Sequence, residues 1–240
     1  EAIQEKLREI NIKINSLLED ISNQRKELDD ISKEVIKRQE KLRIYESMDE
    51  NFEGYNKSVK EVFKRVKNSS IRIYSTVGSL ISVQKKYIKA IDSALGSSIQ
   101  YIVVQDEEDA KNIMEIAKKE KLGKVTIVPL DTVNPLLTKE KMATDGFLGY
   151  ADEIILVDEK YKKVIQLLLG KTLVFDTIDN AITHQKGCNF RSRCVTLSGE
   201  LINPGGIFVG GERKADFSIL ERKIEKEELK NELFDLERKS

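Results

Sequence analysis

His184 is the only histidine in the chain, and Cys188 and Cys194 are the only cysteines. Three soft donors so close together could ligate zinc, but a tetrahedral site needs a fourth, and none follows at a known spacing. The plainer reading is a small packed thiol and a surface imidazole. With one histidine and no serine–histidine–aspartate set, hydrolytic catalysis has no support. Gly170-Lys171-Thr172 invites a phosphate-loop reading. That loop needs a glycine where Ile165 stands, and it must leave a strand and open a helix. Here it follows a helical stretch and reads as a helix end leading into a strand. Asp152-Glu153 and Asp158-Glu159 read as helix starts. No catalytic residue, metal site or cofactor is assigned.

Charge placement says more. From Gly54 to Ile91 there are nine basic residues, Lys57, Lys60, Lys64, Arg65, Lys67, Arg72, Lys85, Lys86 and Lys89, against Glu61 alone. Arg191 and Arg193 lie in a stretch without acids, and Arg213 and Lys214 follow the last glycines. The compensating acids gather at 106–109 and 152–159. A neutral but polarised molecule either carries a solvated basic face or contacts a phosphate backbone without reading sequence. Lys57, Lys60, Lys64, Arg65, Lys67, Arg191, Arg193, Arg213 and Lys214 are the candidate nucleic-acid contacts.

The strongest motif is Asn203-Pro204-Gly205-Gly206-Ile207-Phe208-Val209-Gly210-Gly211. Two glycine pairs flank a three-residue apolar run. Glycine pairs cost backbone entropy and are kept where a conformation or a close approach excludes a Cβ. One reading is a cofactor loop, although the phosphate-binding patterns do not fit. The other is a bent edge strand that meets a second backbone and extends a sheet across a subunit boundary. Gly146-Phe147-Leu148-Gly149 offers a second small-residue contact.

These groups need elements to position them. Ile99–Val104 reads as a buried strand. Asp106 caps a helix whose inner face is Ala110, Ile113, Met114 and Ala117, and Gly123 stops it. Val125–Val128 follows as a strand. The same grammar returns about 70 residues on, with Leu169-Gly170, Thr172–Phe175, Asp176…Ala181 and Val195-Thr196. Either two related subdomains join around 131–150, or two βαβ-like units are alike by chance.

Outside this region the pattern is different. Leu7, Ile10, Ile14, Leu17, Ile21, Gln24, Leu28, Ile31, Val35, Arg38, Leu42 and Tyr45 alternate in steps of three and four. A 3.5-residue period draws a narrow stripe that a partner helix covers. Forty-five such residues reach about 68 Å, too long to wrap a small domain. Leu220, Ile224, Leu229, Leu233 and Leu236 form a second, less regular stripe. The chain lacks an initial Met and stops mid-pattern, so it is expected to be part of a longer protein. The two helices are expected to pair antiparallel, the first overhanging the second.

Composition bounds the rest. In 240 residues, 41 Lys+Arg balance 41 Asp+Glu, and charged residues are 34 %. This excludes a uniformly basic coat and an acidic tail. No apolar run approaches the roughly 18 residues that a membrane span needs. Two cysteines do not make a disulfide framework and fit a reducing, cytosolic setting. None of the three prolines precedes Pro129, which permits long helix.

Taken together, AIDSALGSSIQYIVVQDEEDAK (90–111), LGKVTIVPLD (122–131), GFLGYADEI (146–154), LLLGKTLVFDTIDNA (167–181) and RCVTLSGELINPGGIFVGG (193–211) resemble the hinge domain of structural-maintenance-of-chromosomes (SMC) proteins of prokaryotic type. The resemblance covers about 55–218 plus the flanking coils, and it rests on the order and spacing of the motifs. Two features depart from the pattern. Ser198 precedes Gly199 where the family has aspartate or glycine, and the lysine-rich run after the double glycine is reduced to Arg213-Lys214.

The resemblance implies a mixed α and β fold. It is a two-subdomain SMC-type hinge with small sheets and packed helices, flanked by two helices that form an antiparallel coiled coil. The expected divisions are 1–50 (coil), 51–140 (first subdomain), 141–218 (second subdomain) and 219–240 (start of the return coil). It also implies a homodimer in which each subdomain meets the unlike one of its twin. Gly205, Gly206, Ile207, Phe208, Val209, Gly210 and Gly211 then lie at the interface, with Gly146 and Gly149 as further contacts. The implied role is mechanical, in chromosome condensation and segregation. DNA is contacted weakly, in the cytoplasm and at the nucleoid. ATP and Mg would belong to head domains outside this sequence, where accessory condensin-type subunits bind. The rival readings are a small α/β enzyme inserted in a coil and a coil insertion that does not dimerise.

Overall fold

The computed structural model describes residues 2–136, 139, 142–211 and 218–238. It has two compact units: residues up to Glu50 with those from Glu225 onward, and Asn51–Ile224. The first begins with α1 (Ala2–Glu50), 49 residues with neither Gly nor Pro to interrupt them.

The second unit is built twice from one plan. The first lobe runs α2 (Lys57–Val66), β1 (Ile73–Thr76), α3 (Val77–Leu80), β2 (Ile81–Ser82), α4 (Ile88–Leu95), β3 (Ile102–Val104), α5 (Glu107–Lys119) and β4 (Ile127–Pro129). The second runs β5 (Phe147–Tyr150), α6 (Ala151–Ile154), β6 (Leu156–Val157), α7 (Lys162–Leu169), β7 (Thr172–Phe175), α8 (Ile178–Gly187) and β8 (Arg193–Thr196). From β1 and from β5 onward the helices and strands of the two series match one for one, as do the 3-10 turns Lys85–Tyr87 and Glu159–Tyr161; the 3-10 turn Gly96–Gln100 of the first lobe has no counterpart among the described residues. The second lobe then adds β9 (Leu201–Asn203) and β10 (Ile207–Val209), and α9 (Ile219–Glu237) follows.

The pairing repeats as well. β1 is antiparallel and β4 parallel to β3, as β5 is antiparallel and β8 parallel to β7. The sheets are β1-β3-β4 and β10-β9-β8-β7-β5. A third, two-stranded sheet joins matching elements of the lobes, with Ile81 opposite Val157 and Ser82 opposite Leu156. The largest core cluster is shared: Ile81, Ile91 and Leu95 pack with Ala151, Ile165 and Leu169.

Local chemistry explains the elements. Asp106 accepts from Asp109 N at 3.0 Å and caps α5, while Thr177 caps α8 by accepting from Asn180 N at 3.4 Å. Both helices end in the same six-residue closure. Leu122 N donates to Ala117 O at 3.0 Å beyond Lys121, and Phe190 N donates to Gln185 O at 2.8 Å beyond Asn189. Lys121 (φ 55°) and Asn189 (φ 53°) hold the left-handed position.

Several expectations shift. The strand expected at 99–104 starts at Ile102, because Gly96–Gln100 closes as a 3-10 turn. That expected at 125–128 is Ile127–Pro129. Lys121, not Gly123, terminates α5. Met114 is 58 % exposed, since it stands about 100° around the helix from the buried Ile113.

In the coil unit, Arg38 Nε donates to Glu232 Oε2 at 2.7 Å, Lys41 pairs with Glu225 at 2.9 Å, and Lys226 pairs with Asp49. Arg38 meets Glu232 while the later Lys41 and Asp49 meet the earlier Glu225 and Lys226, so the helices are antiparallel. Leu229 and Leu233 are buried, and Tyr45 is buried with its hydroxyl on Glu225. The α1 stripe is covered at Ile31, Val35, Arg38, Leu42 and Tyr45, whereas its apolar positions from Leu7 to Leu28 stay 45–55 % exposed. The second stripe is irregular because it serves two cores. Leu220 belongs to the globular unit's core and Leu229 to the coil.

Candidate functional site

β9 and β10 form a hairpin through Pro204-Gly205-Gly206. Gly206 N donates to Asn203 O at 3.1 Å, and Gly205 has φ 84°, as the third position of a Pro-Gly turn demands. Gly206 has φ 80°. The turn is pinned from below by Gly205 N donating to Phe190 O at 2.8 Å, and Phe190 lies 6.4 Å from the Phe208 ring. These two glycines therefore serve the turn.

Among the described residues β10 pairs only with β9, and its other side is an open sheet edge. Ile207, Phe208 and Val209 are 62, 52 and 52 % exposed, which leaves both faces of the strand uncovered. Gly211 has φ 111°, but Gly210 has no left-handed backbone, and a Cβ there would meet only Glu200 Cγ at 3.7 Å. Among the described residues, nothing in the chain's own fold requires glycine at 210.

Gly146 and Gly149 lie at the opposite edge of this sheet, on or beside β5. Gly146 has a task inside the chain. With φ 72°, its missing Cβ leaves room for the Asp176 and Asn180 side chains, and its carbonyl accepts from Asp176 N at 2.9 Å. Gly149 has φ 138° and faces Ile154. The two glycine motifs do not form one surface.

The basic residues also separate. Lys57, Lys60, Lys64 and Lys67 recur on the outer side of α2, whose inner side buries Val59, Val62 and Val66. Arg65 is engaged by Glu120 and Glu61, and Lys64 pairs with Glu61 at 3.2 Å. Arg72 is held by Asp106 and Asp109. Arg193 is half-buried under the hairpin, where Nε donates to Asn203 Oδ1 at 3.3 Å, and burial lowers its pKa. It is not a surface cation. Arg191 is exposed. Arg213 and Lys214 lie outside the described residues. The fold adds two lysines that are not among those candidates. Ser58 Oγ donates to Lys124 O at 3.0 Å, and Arg65 reaches Glu120. The exposed Lys121 and Lys124 thereby lie beside α2. Alternation of lysine across two separated segments is the only sequence signal for this.

The soft ligands do not assemble a metal site. Among the described residues, no group of three His, Cys, Asp or Glu could hold an ion. His184 is half-buried rather than on the surface, and burial lowers its pKa. Its Nε2 lies 3.9 Å from Cys188 Sγ and 3.4 Å from Ser192 Oγ. Burial pushes the Cys188 thiol up, but Ser192 and the backbone N–H groups of the same loop outweigh it and bring it down. Cys194 is buried in β8 and pushed up to about 12. Gly170 follows α7 and precedes β7, the reverse of a phosphate loop.

Residues 70–185 match the family model for the flexible hinge domain of SMC proteins. The crystal structure of an asymmetric dimer of the Geobacillus stearothermophilus SMC hinge domain superposes with a TM-score of 0.80 at 29 % identity, over 88 % of this chain and 87 % of that one. The chain carries an SMC hinge domain. A second structure, the Pyrococcus furiosus Smc hinge domain with an extended coiled coil, gives a TM-score of 0.57 at 28 % identity, over 99 % of this chain and 85 % of that one. The chromosome partition protein Smc of Bacillus subtilis is 35 % identical over 203 residues, 82 % of this chain. This chain spans 16–18 % of the length of such curated relatives. Membership in the SMC hinge family removes the reading of a small α/β enzyme inserted in a coil.

Proposed function

We propose that this hinge joins two copies of its parent chain through the free edge of β10. The observation that carries this is a strand that, among the described residues, is open along one side and apolar on both faces, followed by Gly210, which no described contact requires to be glycine. A bare backbone at 210 suits the close approach of another backbone. The internal repeat supplies a receiving edge. In the second lobe β8 carries β9 on its far side, whereas its counterpart β4 has no strand on that side among the described residues. β10 of one copy on β4 of its twin would continue the sheet, each lobe meeting the unlike lobe. Beside the other two edges, β1 and β5 carry register breaks, at Ile73/Ser75 and Phe147/Gly149. Bulges of this kind discourage further strand addition.

Sedimentation at micromolar concentration tests this. The wild type should run as a dimer, and the double substitution Gly210→Glu with Gly211→Glu as a monomer. A dimeric double variant would overturn the assignment, and a monomeric wild type would favour a coil insertion that does not self-associate.

We further propose that the lysine face of α2, with Lys121 and Lys124, touches nucleic-acid phosphates without reading bases. Ten helical residues span about 15 Å, enough for two or three phosphates of one strand. Duplex affinity should fall by about 0.9 log units per log unit of salt for each phosphate engaged. Replacing Lys57, Lys60, Lys64 and Lys67 with Glu should abolish binding. Absence of binding by the wild type at low salt would remove the proposal. In the parent protein the joint would serve chromosome condensation and partition in the cytoplasm. ATP and Mg would act at distant heads, with accessory subunits there.

A further inference from the structure

The root of α9, residues 219–224, belongs to the globular unit and is fastened to the first lobe. Ser218 caps it: its hydroxyl accepts from Leu220 N at 3.2 Å, and its carbonyl accepts from Arg222 N at 3.0 Å. The same hydroxyl donates to Asp92 Oδ1 of α4 at 3.0 Å. Ile219 packs over α3, where a Cβ on Gly78 would sit 3.3 Å from its Cγ2. Arg222 is 1 % exposed, and its guanidinium donates to Glu53 O at 3.0 Å.

Lys223 reaches furthest. Its half-buried ammonium donates to Ser79 O at 2.8 Å and to Ile81 O at 2.7 Å. These carbonyls stand at the end of α3 and the start of β2. A four-residue helix leaves its last carbonyls without partners along its own axis, and a lysine can satisfy them. Directly beyond, β2 is held to β6 by a ladder only two residues long. So short a ladder has little stability of its own, and its neighbours decide whether it stays closed. In the second lobe the matching segment is held from another direction. There Lys139 Nζ grips both Asp152 carboxylate oxygens at 2.7 Å and Glu153 Oε1 at 2.9 Å. The strand contact between the lobes is therefore symmetric in backbone but not in fastening.

We propose that Lys223 couples the root of α9 to the β2–β6 contact between the lobes, so that loosening either loosens the other. A twist arriving along the helix would reach the lobe contact through one ammonium group. The inference rests on the fold alone and is independent of self-association and of nucleic-acid binding.

Hydrogen exchange on the whole chain tests it. Lys223→Met keeps the apolar stem and removes the donors. The amides of Ile81–Ser82 and Leu156–Val157 should exchange at least tenfold faster, while those of β3 and β7 keep the wild-type rate. Lys223→Arg should restore slow exchange. Lys226→Met, which removes the pair with Asp49, should leave β2 and β6 unchanged. Unchanged exchange in Lys223→Met, or equal acceleration in every strand, would overturn the proposal. Should that variant fail to fold, Lys223→Gln, which keeps one donor group, should give an intermediate rate confined to the same four residues. A wild-type rate in K223Q, or acceleration outside those residues, would equally overturn it.

Discussion

At the scale of single residues, glycines show what a sequence reveals and what it hides. Their clustering at 205–211 is legible, but the reason for each is not, because a backbone angle and an outside contact leave the same letter. The structure separates them. Gly205 and Gly206 shape a turn, Gly146 makes room for the α8 cap, and Gly210 does neither. Gly146→Ala combines a left-handed backbone penalty of about 1–2 kcal/mol with a displaced Asp176–Asn180 pair. Urea unfolding should show a loss of roughly 2 kcal/mol or more. Gly187→Ala, at an exposed helical position with open space around it, should be neutral or stabilise by about 0.5 kcal/mol. His184 is expected on the surface because one histidine in a polar segment gives no hint of the Phe175 ring, tilted against it with centroids 5.4 Å apart. Its folded pKa is lowered by burial, so the unfolded chain takes up the proton first as pH falls through the unfolded value near 6.5. Stability should decline on acidification there, and His184→Gln should flatten that part of the pH profile.

Among the elements, α1 is the easiest to foresee, since a 3.5-residue stripe sustained over so many turns suits little besides a partner helix. The cap at Asp106 and the glycine-ended helices α4 and α7 are local enough to be read as well, whereas the echo of Asp106 points to Asp176 and the cap of α8 is its neighbour Thr177. The short β2 and β6 are not, for two residues carry no periodicity. Strand starts slip where a 3-10 turn intervenes. The buried Arg222 is hidden in a run of charges that looks uniformly solvated. Cover along α1 is uneven, and exchange should follow it. Amides from Ile31 to Asp49 should be protected well beyond those from Leu7 to Leu28, where the apolar stripe is half exposed. Equal protection along the helix would contradict the pairing of α1 with α9.

For the molecule as a whole, the doubled plan is visible as an echo of motifs, but the way the halves meet is not. Their pairing puts β2 against β6 and a common cluster of Ile81, Ile91, Ala151 and Ile165 between them. The lysine face on α2 likewise needs the fold, because Lys121 and Lys124 come beside it where Ser58 bonds Lys124 O, Arg65 reaches Glu120, and Leu122 and Val125 pack against the α2 core. The shared cluster has a consequence for each half taken alone. Neither half keeps its whole interior to itself, so either one without the other would leave part of this cluster open to water. Cutting the chain at the exposed Asn134 should therefore leave two fragments that copurify and melt together.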